Sequence, residues 1–151
     1  MPAEFLEKYN GVLRGVMRWH QLDELWSTIR KQQTEGWYIY AIGHEVPEKV
    51  TDSDGLEHFI SRINKLLREE HDEDYCGIVY TDDFSHPTLV KIFDPNNLGT
   101  SCGSSRIAPQ PGWVISHFKP AALGEEIVLP GNRKRWWSRL WSKKNRNSVN
   151  H

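Results

Sequence analysis

Apolar residues at Phe5, Tyr9, Val12, Val16 and Trp19 alternate at spacings of four and three, which lays them along one stripe of a helix. The stripe runs on through Leu22, Trp26 and Ile29 towards Thr34. Ordinary helix lengths predict two packed helices here, with a break near His20–Gln21. Gly36 stops the pattern, and Trp37-Tyr-Ile-Tyr-Ala-Ile-Gly43 is the aromatic and β-branched run expected of a strand. After a loop from Pro47 to Ser53, Asp54 with Glu57 three residues on predicts a helix start. Leu56, Phe59, Ile60, Ile63, Leu66 and Leu67 then follow at helical spacing, up to an acidic cluster at Asp72–Asp74. Strands are expected at Cys76–Thr81 and Leu89–Phe93, joined by the turn-forming Asp82-Asp-Phe-Ser-His-Pro87, with a last strand at Trp113–Phe118.

This order predicts an α+β fold in two layers, a mixed four-stranded sheet with helices packed on one face. The first two strands would be parallel through a right-handed crossover. Pro130-Gly131-Asn132 is a breaker cluster, so the chain divides into a globular domain over residues 1–130 and a basic, Trp-rich, amphipathic tail over 131–151. The domain is expected to fold without the tail.

Charge sharpens that division. The chain has 151 residues and a net charge of −1, but Arg133, Lys134, Arg135, Arg139, Lys143, Lys144 and Arg146 form a run of seven basic residues without an acidic one. Removing these seven from the 19 Lys and Arg leaves 12 against 20 Asp and Glu, a net −8 for the remainder. An acidic body with a basic tail implies either an anionic partner for the tail or a tail folded back on the body. The polar N-terminus gives no secretory signal, no apolar run reaches the length of a membrane span, and two cysteines are too few for a disulfide framework. A cytoplasmic protein is expected, with peripheral association at a membrane as an alternative.

Candidate chemistry concentrates in the connection from Asp94 to Gly112, which carries no helical or strand period. Gly99-Thr-Ser-Cys-Gly103 matches the spacing of a hydrolase nucleophile elbow, but Pro109 and Pro111 rule out the helix that must follow it. Cys102, with Arg106 near it, is the weak catalytic candidate, a thiol for which His44, His86 or His117 would serve as base. Gly99, Ser101, Cys102, Gly103, Ser104 and Arg106 also form a candidate ligand-binding loop, with successive amides and hydroxyls suited to an anion. The histidines do not pair at helical spacing and there is no C-x-x-C. The groups His71–Asp74 and Asp82, Asp83, His86 sit at element ends, where solvated charge is normal, so no metal and no cofactor are expected.

The tail carries the strongest pattern. On a helix, Trp136, Trp137, Leu140 and Trp141 occupy an apolar arc of roughly 140°. Ser138, Ser142, Arg135, Arg139 and Arg146 lie opposite, while Arg133 and Lys144 fall within the arc but near the helix ends, where long side chains can reach solvent. Such a segment suits a protein partner, an anionic membrane surface or, less well, single-stranded nucleic acid. The sequence therefore points to a non-enzymatic accessory or adaptor protein whose domain binds a protein partner and whose tail docks that partner or a membrane. A small thiol-dependent enzyme or redox module using Cys102, and a nucleic-acid-binding module, are the alternatives.

Overall fold

A strand divides the apolar stripe at the N-terminus. In the computed structural model, which describes residues 2–71, 73–96, 110–123 and 136–141, helix α1 (Pro2–Tyr9) is followed by strand β1 (Arg14–Val16) and then helix α2 (Trp19–Lys31). A short 3₁₀ turn (Gln33–Glu35) leads to β2 (Tyr38–Ala41), helix α3 (Ser53–Glu70), and strands β3 (Val79–Thr81), β4 (Leu89–Ile92) and β5 (Trp113–Ser116). Gly36 links the 3₁₀ turn to β2 at φ +83°, a left-handed conformation that glycine adopts at least cost. Residues 136–141 are helical and are labelled α4.

The α+β class is observed, but the sheet has five strands where four were expected, and all neighbours are antiparallel in the order β1-β3-β4-β5-β2. The added strand is β1. It escapes the sequence pattern because only Val16 in it is buried, and because Gly15 stands where the Tyr80 ring crosses; a Cβ there would lie 3.0 Å from that ring. The expected parallel pairing is absent because β2 goes to the far edge beside β5, with Tyr38 opposite Ser116 and Ala41 opposite Trp113.

Alternation along the strands gives the sheet two apolar faces. Val16, Ile39, Ala41, Val79, Val90, Ile92, Trp113 and Ile115 share a core with Leu22, Leu25, Trp26 and Ile29 of α2 and the buried stripe of α3. Tyr40, Leu89 and Val114 face the other way, where Phe5 of α1 covers them together with Leu13, Phe118, Ala121 and Leu123. The expectation that helices pack on one face is thus corrected: α1 lies on the second face, because these inward-facing apolar side chains need their own cover. On the first face α3 is fixed at its start by Asp52, whose Oδ1 accepts from the Gly55 amide at 2.6 Å. It is tied to α2 by Trp26 Nε1, which donates to Asn64 Oδ1 at 3.1 Å.

Candidate functional site

The apolar arc read from the tail is the face by which α4 meets the body. Leu140 is 1 % exposed, and Trp136, Trp137 and Trp141 pack against the main core while keeping part of their surface in solvent. Trp136 meets Trp113 edge-on at 5.6 Å between ring centroids, and Trp137 meets Phe59 of α3 at 6.5 Å and His44 at 5.8 Å. Trp141 lies 5.9 Å from the His58 ring, and His58 Nε2 donates to the Leu140 carbonyl at 2.8 Å. Ser138 and Arg139 are exposed on the opposite side. Arg62 and Lys65 of α3 line a shallow cleft beside Trp136 together with Glu69 and Glu70.

A second constellation lies at the end of the sheet where β5 finishes and β2 begins. His117 follows β5, its ring centroid 3.8 Å from that of Trp37, and its Nδ1 donates to the Gly36 carbonyl at 2.7 Å. Its Nε2 is buried without a hydrogen-bond partner and lies 3.8 Å from Glu35 Oε1. His86, on the β3–β4 turn, places its own Nε2 at 3.8 Å from the same oxygen, while Gln32 Nε2 lies 3.1 Å from His86 Nδ1. Gln32 Oε1 is also buried without a partner. The cluster draws on three segments far apart in sequence: the end of α2 with its 3₁₀ turn, the β3–β4 turn, and the end of β5.

Other sequence candidates have structural roles. Asp82 accepts from the amides of Thr88 (2.9 Å) and Leu89 (3.1 Å) and from Thr88 Oγ1, closing the β3–β4 hairpin. Asp83 accepts from Ser85 and His86, and these bonds, led by that from the Ser85 hydroxyl, hold its carboxyl below the usual range. Both carboxylates of the acidic–His group are therefore engaged in the turn. Among the described residues, no group of three or more His, Cys, Asp and Glu side chains is placed to hold a metal ion. Cys76 is buried, and burial pushes its thiol up. Gly99, Ser101, Cys102, Gly103, Ser104 and Arg106 lie outside the described residues, as do Arg133, Lys134, Arg135, Lys143 and Lys144.

Two residues that sequence reasoning did not single out emerge here. Glu35 sits in a polar stretch after α2 and carries no motif. Lys91 stands in the middle of β4, where a core strand would usually be apolar; its Nζ lies 3.7 Å from the Tyr9 ring centroid, and burial lowers its pKa. An isolated lysine within Leu-Val-Lys-Ile was the only signal for it. Among the described residues, no helix is long and apolar enough to cross a membrane. Comparison with protein-family models, with curated proteins and with solved structures finds no match for this chain.

Proposed function

We propose that the chain is a non-enzymatic adaptor that binds a protein partner, with α4 anchored on the body and its basic side turned outward to meet an acidic surface of that partner. One observation carries this reading: the apolar arc of α4 is already engaged by the body, with Leu140 buried, while Arg139 on the other side is exposed. The arc therefore anchors, and the charge is what remains to be read. Arg62 stands beside Trp136 in a cleft where Lys65 pairs with Glu69 at 3.8 Å, and the sequence on either side of α4 carries Arg133, Lys134, Arg135, Lys143 and Lys144. A membrane-docking role for the tail asks more, because the same four apolar side chains must first leave the body. The expected setting is the cytoplasm.

The test is paired affinity capture with the full chain, comparing wild type with the charge-reversed Arg62→Glu/Arg139→Glu variant at physiological salt. The expected result is a saturable protein partner held by wild type and lost by the variant, with the surface that crosslinks to α4 rich in Asp and Glu. Equal capture by both forms would contradict a charge-reading tail.

A further inference from the structure

We propose that the Gln32–Glu35–His86–His117 cluster is a binding site for an N–H-bearing cation, an alkylammonium or guanidinium group. The inference stands apart from the α4 reading and uses none of its residues.

His117 sets the chemistry. Its Nδ1 faces a main-chain carbonyl at 2.7 Å and must carry the proton there, because a carbonyl only accepts. In the neutral ring Nε2 is then a lone pair, and it is aimed at a carboxylate oxygen 3.8 Å away, which is also an acceptor. Two acceptors facing each other gain nothing from that approach, and a buried acceptor without a donor costs free energy. The His117 side chain is only 10 % exposed, so open solvent does not relieve it. Gln32, 8 % exposed, adds a second buried acceptor, Oε1, without a partner. What this arrangement lacks is a donor with positive charge between His117 and Glu35.

The surroundings fit such a guest. Glu35 provides the countercharge, and among the described residues it faces the two imidazoles and no lysine or arginine. Glu35 and His86 are the outer members, 46 % and 64 % exposed, so a guest entering from solvent meets these two side chains first. The His117 ring stays fixed by Gly36 below and by the Trp37 ring against its face. A fixed inner acceptor beneath exposed outer groups can be reached without unfolding the sheet end. Binding a charged donor by charge-assisted hydrogen bonds is stronger than binding a neutral one.

The test uses the full chain at roughly pH 8, where a free imidazole is neutral. Imidazole signals are followed by ¹H–¹⁵N NMR during titration with ethylammonium, methylguanidinium or tetramethylammonium chloride at constant ionic strength. Tetramethylammonium has the charge but no N–H. The expected result is a saturable shift of the His117 and His86 signals with the first two cations and none with the third. Glu35→Gln, at an exposed position that leaves the core untouched, should weaken binding by about tenfold or more, the loss of one charge-assisted hydrogen bond. Glu48→Gln, an exposed charge in the loop before α3, should not. A blocked lysine tripeptide that binds at least as far above ethylammonium as Glu35→Gln falls below wild type would identify the source as a partner side chain. Equal binding would identify a free amine. Absence of any saturable shift, an equal response to tetramethylammonium, or an unchanged affinity in Glu35→Gln would each overturn the site.

Discussion

His58 Nε2 donates to the main-chain carbonyl of Leu140 at 2.8 Å, joining the first half of α3 to a helix far along the chain. The bond matters because it directs a polar group of α4 onto the body at the point where its Leu140 side chain is also buried. The side chain of Leu140 is thus buried while its main chain is held by α3. A tail tethered only by charge would not order its backbone this way.

Leu140→Ala should therefore lower the unfolding free energy by about 2–3 kcal/mol, as for other buried leucines, whereas Arg139→Ala should stay within about 0.5 kcal/mol. His58→Ala is expected to cost about 1 kcal/mol for its hydrogen bond, and the two losses should not add in the double variant. Urea titration of the full chain measures all of these. Truncation after Pro130, which a body independent of its tail would tolerate, should cost at least as much as Leu140→Ala. A Leu140→Ala effect near zero would mean that α4 contributes nothing to the fold.

The acid limb of stability should depend on Glu57. The Arg30 guanidinium, donating at 2.7 and 3.0 Å, holds the Glu57 carboxyl below its usual range, partly opposed by desolvation and reinforced by the Ser61 hydroxyl. A carboxylate with a depressed pKa in the folded state stabilises above its unfolded pKa of ~4.3, and that contribution is lost as pH falls through the lower folded value. Glu57→Gln should flatten the curve below about pH 4.5, by no more than about 1 kcal/mol because the pair is solvent-exposed. An unchanged acid limb in this variant would remove the pair from the account.

Lys91 should act at the opposite end of the pH scale. Its pKa is lowered by burial, so the unfolded chain holds this proton at pH values where the folded chain has released it. Stability due to this group should rise with pH from below its folded pKa up to the unfolded value of ~10.4. Burial also raises the Tyr9 phenol, which works in the reverse sense in the same range. The informative quantity is thus the difference between wild type and Lys91→Met, which should shift in favour of wild type as pH rises from about 8 to 11. A difference independent of pH would place the Lys91 ammonium in water.

Much of the first core face was legible in the sequence. Leu56, Phe59, Ile60, Ile63, Leu66 and Leu67 are all buried in α3 as their spacing implies, because a long amphipathic helix repeats one signal many times. Its start was less legible: the cap is Asp52 rather than Asp54, a choice that depends on which carboxylate reaches the Gly55 amide. Strand β1 was hidden because Val12 and Val16 fit a helical spacing by coincidence, and a three-residue strand cannot show alternation. The apolar arc of α4 could be read from Trp136, Trp137, Leu140 and Trp141, but not what it covers, since a period identifies a face and not its partner. Glu35, His86 and His117 could not be grouped at all. They meet only because the β3–β4 turn and the end of β5 close over the start of β2, a juxtaposition set by the sheet order.

The tryptophan arc packs against the body, and the proposed role leaves charge as what the tail offers outward. Tryptophan emission of the full chain, recorded with and without phosphatidylserine-containing vesicles at physiological salt, tests it most directly. Burial of Leu140 is worth roughly 1.5–3 kcal/mol, and the three partly buried tryptophans add to it, enough to compete with insertion of the same arc into lipid. No blue shift is expected on adding vesicles, because the arc stays on the body, and any co-sedimentation through the exposed basic charges should be lost as salt is raised. A blue shift accompanied by salt-resistant co-sedimentation, abolished in Trp136→Ala/Trp137→Ala/Trp141→Ala, would contradict it and make the tail a membrane-inserting helix.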